Sequence, residues 1–445
     1  MFEQLRPALP LTSDAPQGRL QIGGVEAATL AASYGTPVIV YDRAHVETAA
    51  QAWQQAFAGH PAGATIAYAS KAFTSVGMLR LLGELGLGAD VSSLGELDVA
   101  LRAGIDPSLI VVHGNNKSRA ELEAAVAAGV GLVVLDAASE LELLESIAAR
   151  HRVCQPVLVR INPDVEVETH RYINTAHAGS KFGVPADEAA RLLERAHASE
   201  ALDARGVHVH LGSQLLDTAP WRRVLDWLAG WAVDLRDRTG IEIATLDVGG
   251  GLGIAYLETQ RPPTPADVAA AVRDTLHDTW LAQGLALPHL VLEPGRSIVG
   301  QAAVTIYRVG VVKDAGDIRY VNVDGGMSDN PRPALYQAEY RALLAERCHE
   351  PATGTWWVAG VHCESGDVLI EDAPLPEPVS GELLVIPATG AYAASMASTY
   401  NLVPRCAVVI VGDGEHRELL RRDTPRDLLA RDVDAASDLE VAGSR

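Results

Sequence analysis

The stretch "IAYASKAF", residues 66–73, reads as a short buried strand that ends beside a lysine. An unpaired ammonium taken out of water costs roughly several kcal/mol. Lys71 therefore stands in solvent just past the strand, pairs with a buried carboxylate, or has an amine that does chemistry. The run that carries it, "TIAYAS", is the first of eight: "GADVSS", "LIVVHG", "LVVLDA", "VLVRIN", "GVHVHL", "TLDVGG" and "HLVLEP" follow between residues 88 and 294. Between them lie segments such as "SVGMLRLLGELG", "SRAELEAAVAAG" and "ASELELLESIAARH", with apolar residues at helical spacing. Several of these begin with Ser, Asp or Pro and end at Gly, as helix starts and stops do. Eight strands alternating with helices over about 230 residues predict a (β/α)8 TIM barrel.

Polar groups fall at the C-terminal ends of these runs: Lys71, Asp90 with Ser92 and Ser93, His113, Asp136, Arg160 with Asn162, His208 with His210, Asp247 and Glu293. In such a barrel the C-terminal strand ends and the loops after them build the active site. After about residue 295 the chain changes to Val/Ile/Tyr/Trp-rich runs, "AAVTIYRVGVV", "IRYVNVD", "TWWVAGVH", "GELLVIPA" and "RCAVVIVG", separated by Gly, Pro and Asp turns. These predict a second, mostly β, sandwich- or barrel-like domain. "TPVIVYD", residues 36–42, is a strand of either domain by its local pattern. The expected division is a barrel over residues 44–290 and a β domain from 1–43 plus 291–445.

The 445 residues are 48% hydrophobic and 21% charged, enough for a large domain and a smaller one. A net charge of −21 with no compensating Lys/Arg run argues against nucleic acid or an anionic membrane surface as partner. Anionic substrates must then be met by specific arginines. Cys154, Cys348, Cys363 and Cys406 show no metal or disulfide-framework spacing, and no targeting segment or membrane-length apolar run is read, so a cytoplasmic setting is expected.

Three motifs carry chemistry. In "LDVGGGLG", Gly249, Gly250 and Gly251 follow the seventh strand, where a backbone can approach a phosphate closely, although a glycine run is also simply a tight turn. In "LEPGRS", Glu293 and Arg296 either form an internal salt bridge or divide the work, Arg296 on an anion and Glu293 on a cationic ring nitrogen or amine. In "GVHVHLGSQ", His208 and His210 share one face. A zinc-dependent barrel hydrolase is the runner-up enzyme class, with His113 and Asp247 as the other barrel-end candidates. An imidazole stacked on a flat cofactor, with Ser213 reaching a phosphate, uses the strand better, and no metal is assigned. A lysine on strand one, a phosphate site at strands seven and eight, a stacking histidine and an opposing carboxylate together suit pyridoxal phosphate.

The ordered motifs "YASKA", "HGNNKS", "RINPDV", "HRYINTA", "SKFG", "HVHLGSQ", "DVGGGLG", "EPGRS", "RPALY", "CESGD" and "TGAYAASMASTYN" resemble the fold-type III, alanine-racemase-like pyridoxal phosphate decarboxylases over nearly the whole chain, and most specifically their diaminopimelate-decarboxylating branch. The resemblance implies pyridoxal 5'-phosphate as cofactor, Lys71 as Schiff-base lysine and His210 as the ring-stacking residue. It implies Ser213, Gly250, Gly295, Arg296 and Tyr392 on the phosphate and Glu293 on the pyridine nitrogen. Arg296, Arg332, Tyr336, Glu364 and Tyr392 would hold substrate, and Cys363 would donate a proton to Cα. It further implies a homodimer whose Cys-containing loop completes the partner's site, and conversion of meso-2,6-diaminopimelate to L-lysine and carbon dioxide.

Charge logic supports this substrate, because a distal carboxylate and ammonium call for Arg332, Tyr336 and Glu364, whereas a diamine-forming decarboxylase needs no such arginine. Phe73 stands where many relatives carry Asn, Ala176 replaces a common Gly, and "DGGMSD" replaces the more usual "DAGMND". The alternatives are a same-fold decarboxylase acting on ornithine, lysine or a carboxylated polyamine, and a non-catalytic cofactor-binding relative. Lys71 is expected to lie across the barrel mouth from the phosphate loops.

Overall fold

The computed structural model describes residues 1–163 and 180–435. Ala176 and the "HRYINTA" motif lie outside the described residues. The chain divides into two compact units, one of Glu47–Ile254 with Arg261–Ser297, the other of Met1–Val46, Ala255–Gln260 and Ile298–Arg445.

The first unit is the barrel. Its strands are β1 (Ala64–Ala69), β2 (Gly88–Val91), β3 (Ile110–Val112), β4 (Leu132–Leu135), β5 (Gln155–Asn162), β6 (Leu202–His208), β7 (Thr245–Asp247) and β8 (His289–Leu292). Each is parallel to its neighbours, and the ring closes where β8 pairs with β1, Leu290 opposite Ala64. All eight apolar runs form these strands. Helices between them start on the side chains the sequence marks: Ser75 caps Val76–Glu84, Ser93 caps Leu94–Ala103, and Ser118 with Glu121 forms a capping box on Arg119–Ala128.

Ala67, Val111, Val134, Leu158 and Val291, from five strands, make a buried apolar cluster. Side chains alternate along a strand, so residues two apart share a face. His113, Asp136, Arg160 and Glu293 each stand two residues beyond Val111, Val134, Leu158 and Val291. The same alternation that packs the barrel therefore aims these groups at its mouth.

In the second unit the sheet runs Val368–Leu375, Gly354–Ala359, Ile318–Val323, Ala303–Ala315, Val38–Asp42, Ala407–Gly412, Glu415–Leu420, with Leu383–Pro387 also paired to Ala303–Ala315. The early strand Val38–Asp42 belongs here, antiparallel to Ala303–Ala315 and parallel to Ala407–Gly412. Its buried core includes Val38, Val40, Val304, Ile306, Val385 and Val409.

Candidate active site

Lys71 sits just past β1, in the turn Ser70–Ala72. Its Nζ is 3.3 Å from Asp90 Oδ2 at the end of β2; the lysine side chain is 45% exposed and the aspartate 2%. Two of the sequence readings thus coincide, because the ammonium reaches solvent and also partners a buried carboxylate. Neither prevents its nitrogen from reacting. Phe73, two residues on, is buried, and its carbonyl accepts the Tyr68 hydroxyl at 3.0 Å.

Glu293, just past β8, is the centre of a buried polar cluster. His113 Nε2 abuts Glu293 Oε1, His208 Nε2 is 3.5 Å from Oε2, and ligand-type atoms of His113, His208, Asp247 and Glu293 all lie within 4.8 Å of one another. The His113 and His208 rings meet edge to face at 4.6 Å. Burial pushes His208 down to about 3, against the pull of Glu293. Burial, with Lys71 and Arg160 nearby, also holds His210 well below its ordinary value. Glu293 is held well below the usual carboxylate range because His113 and His208 outweigh its burial. Of the residues the metal reading named, His113, His208 and Asp247 meet, together with Glu293, whereas His210 does not join them: its ring is 6.4 Å from that of His208 and nearly parallel to it. His210 is half-buried, with a ring suited to stacking.

Ser213, Gly250, Gly295 and Arg296, four of the phosphate candidates, come together beside this cluster. Arg296 Nη2 donates to Ser213 Oγ at 2.8 Å, joining the loops after β8 and β6. Gln214 binds Ile254 through both its side-chain ends, at 2.6 and 3.2 Å, and Leu215 N donates to Gly251 O, so the loops after β6 and β7 are laced together. Gly250 lies so close to Glu293 O that a Cβ would be 2.2 Å from it. The Gly249 N–H donates to Asp247 Oδ1 at 2.8 Å, and its φ of +67° serves the turn.

A Cβ on Gly295 would meet Ala69 and Ala72 at 3.0 Å, and Ala69 N donates to Pro294 O. The expected placement of Lys71 across the mouth is corrected by this contact. Closure of β8 onto β1 sets the Glu293–Arg296 loop directly beside the Lys71 turn.

In the second unit, Arg332 is 7% exposed, donates to the Tyr340 hydroxyl, and lies 4.6 Å over the Tyr256 ring and 5.5 Å over the Tyr340 ring. The two rings stand at 86° to each other. Tyr336 ends the same short helix, and Tyr392 is within electrostatic reach of Arg332. Tyr392 has φ +63°, a costly conformation for an aromatic residue and a frequent mark of functional sites.

Cys363 and Glu364 are exposed, and Cys363 N donates to Asn401 Oδ1 at 3.2 Å. Their loop is anchored by Asp367, which accepts Met327 N at 2.6 Å and His362 N at 2.8 Å. Ser328 Oγ meets His362 Nε2 at 2.8 Å. A Cβ on Gly325 would be 2.3 Å from Asp329 Oδ2. The unusual "DGGMSD" is thus packed around the "CESGD" loop.

Lys117 of "HGNNKS" has no role in the sequence reading. Its buried ammonium is 2.6 Å from Glu140 Oε1 and donates to the Gly114 and Val134 carbonyls at 2.6 and 2.7 Å. Glu140 Oε2 accepts Asp136 N, and Asp136 Oδ1 accepts Gly183 N. A lysine between two polar residues after a strand gives no sign of such burial; only the meeting of β3, β4 and the next helix does.

These residues fit pyridoxal phosphate. A buried anionic carboxylate faces His208, which burial keeps neutral, so a protonated ring nitrogen is a suitable counter-charge. The Arg296–Ser213 pair and the close glycine turns suit a phosphate.

The family model for the pyridoxal-dependent decarboxylase, pyridoxal binding domain, matches residues 43–300. The chain is similar to the diaminopimelate decarboxylase of Halalkalibacterium halodurans, 42% identical over 96% of this chain and 98% of that one. It is similar to that of Bacillus subtilis, 43% identical over 94% and 95%. Among solved structures it resembles diaminopimelate decarboxylase from M. jannaschii in complex with L-lysine, with a TM-score of 0.89, 33% identity and coverage of 95% and 98%.

Proposed function

The chain belongs to the diaminopimelate decarboxylases among the pyridoxal-dependent decarboxylases, and from that premise we propose how its residues divide the work. The reaction is loss of one carboxylate from meso-2,6-diaminopimelate, giving L-lysine and carbon dioxide, the last step of lysine biosynthesis. The observation that carries the residue assignment is the convergence of Lys71, Glu293 and the Arg296–Ser213 pair on adjoining loops of one barrel mouth.

Pyridoxal phosphate, when bound, supplies the electron sink into which the Cα–carboxylate bond breaks. Lys71 would hold its aldehyde and later displace the product amine, with Asp90 orienting the lysine. Glu293 would hold the ring nitrogen and His210 would cover one face of the ring. Ser213, Gly250, Gly295, Arg296 and Tyr392 would bind the phosphate. Gly251, whose carbonyl receives Leu215 N, shapes that loop.

Arg332 suits the distal carboxylate, since Tyr256 and Tyr340 shield its guanidinium while N–H donors remain for a two-pronged contact. Tyr336 and Glu364 would complete the clamp, Glu364 on the distal ammonium. Cys363 would return a proton to Cα. The exposure of Cys363 and Glu364 supports a homodimer in which this loop completes the partner's site. No helix among the described residues is long and apolar enough to cross a membrane, and we place the enzyme in the cytoplasm.

The test is release of carbon dioxide by purified protein from meso-diaminopimelate, ornithine, lysine and carboxynorspermidine in parallel. Release from diaminopimelate alone is expected. Turnover of another substrate with none from diaminopimelate overturns the reading.

A further inference from the structure

We propose that Asp247 is a positioning residue that keeps the proton of a buried acid–carboxylate pair and donates it to Glu293, so that Glu293 meets the cofactor ring as one fixed negative charge. The inference rests on the reading of Glu293 as partner of the ring nitrogen.

Asp247 ends β7 and is fully buried, and its register opposite Val291 on β8 brings it beside Glu293. Its Oδ1 accepts the Gly249 N–H at 2.8 Å. Its Oδ2 is buried with no N–H or hydroxyl donor directed at it among the described residues. Two ionised carboxylates side by side out of water repel strongly, and such a pair retains one proton between them.

The neighbours decide where that proton stays. Glu293 has an imidazole nitrogen near each oxygen, His113 Nε2 and His208 Nε2, which favours the anion by proximity, although neither nitrogen makes a hydrogen bond of regular geometry to it. Asp247 has a single amide on one oxygen, so ionising it would leave the other uncompensated. Glu293 is therefore the anion and Asp247 the acid. Burial first, and Glu293 next, push the Asp247 carboxyl well above its ordinary range, in agreement with this assignment. Among the described residues, Asp90 on β2 and Arg160 on β5 also act on the pair, with opposite signs. An acid hydroxyl directed at a carboxylate makes a strong charge-assisted bond and fixes the orientation of Glu293.

An amide mimics a protonated carboxyl. In Asp247→Asn the side-chain oxygen can still accept from Gly249 and the NH2 can still donate to Glu293. The decisive measurement is the infrared carbonyl stretch of a protonated carboxyl in the holoenzyme in D2O, from pH 7 to 9. We expect a wild-type band that persists over this range and disappears in Asp247→Asn. Pyridoxal phosphate affinity of the Asp247→Asn apoenzyme should stay within about threefold of wild type with the visible band unmoved, while Asp247→Ala weakens it by about tenfold or more. Absence of the infrared band, or an asparagine variant as weak as the alanine one, overturns the proposal. Glu293→Gln separates the two readings: an unmoved visible band in that variant means that Glu293 does not face the ring nitrogen, whatever the infrared result for Asp247.

Discussion

Lys71 and Asp90 form an ion pair at 3.3 Å whose members live in different media, the lysine side chain 45% exposed and the aspartate 2%. Asp90 depends on that cation, because a buried carboxylate left alone is costly. Lys71→Ala should abolish carbon dioxide release, by at least about 10³-fold, and remove the visible absorption of the cofactor-bound enzyme. It should also lower stability in urea by about 1–3 kcal/mol, most of which returns in Lys71→Ala/Asp90→Asn. An absorbance unchanged by Lys71→Ala sinks the role of this lysine.

Arg332 is held by two aromatic rings and one hydroxyl. Arg332→Lys keeps the charge and loses the planar fork, so kcat/KM for diaminopimelate should fall by roughly 10–100-fold, mostly through KM. Tyr340→Phe should raise KM less, leaving kcat near wild type. A fall in kcat with KM unchanged would contradict a role in substrate binding.

Lys117 and Glu140 are buried together at 2.6 Å. Removing one partner strands the other, so Lys117→Met should destabilise by about 3–5 kcal/mol, and Lys117→Met/Glu140→Leu should recover much of the loss. Urea titrations of the wild type and the two variants measure both terms.

Asp329, buried behind the "CESGD" loop, has its carboxyl raised by burial from 3.8 to about 6. The folded state therefore holds this proton more tightly than the unfolded chain. The favourable contribution is complete below pH 3.8 and is lost as pH rises through about 6. Asp329→Asn should gain stability relative to wild type across that window, levelling off at about 3 kcal/mol above it. A stability difference that stays flat from pH 4 to 7 would refute the shift.

If Cys363 serves the partner's site, subunits of Lys71→Ala and Cys363→Ala, each inactive alone, should regain activity when mixed and refolded together. Random pairing of a twofold dimer restores roughly a quarter of wild-type activity. No recovery, with mixed dimers present by native mass spectrometry, argues that each subunit's site is its own.

Much of this was legible locally. The eight barrel strands and the polar groups at their ends follow from apolar runs and period-two alternation. The edge strands Val368–Leu375 and Glu415–Leu420 were not, because "EDAP" and "EHRE" carry the charges and proline that protect sheet edges and erase the strand pattern. The aromatic enclosure of Arg332 was equally hidden, since Tyr256 lies far away in sequence, beside a glycine loop of the barrel.

The amino-acid order by itself determined that a barrel forms and which side chains reach its mouth, because both depend on neighbours a few residues apart. Tertiary structure alone decided who meets whom: Lys71 with Asp90, Asp247 with Glu293, and the Glu293–Arg296 loop beside the lysine turn. Those pairings depend on strand register and on β8 closing against β1, and only the folded ring specifies either.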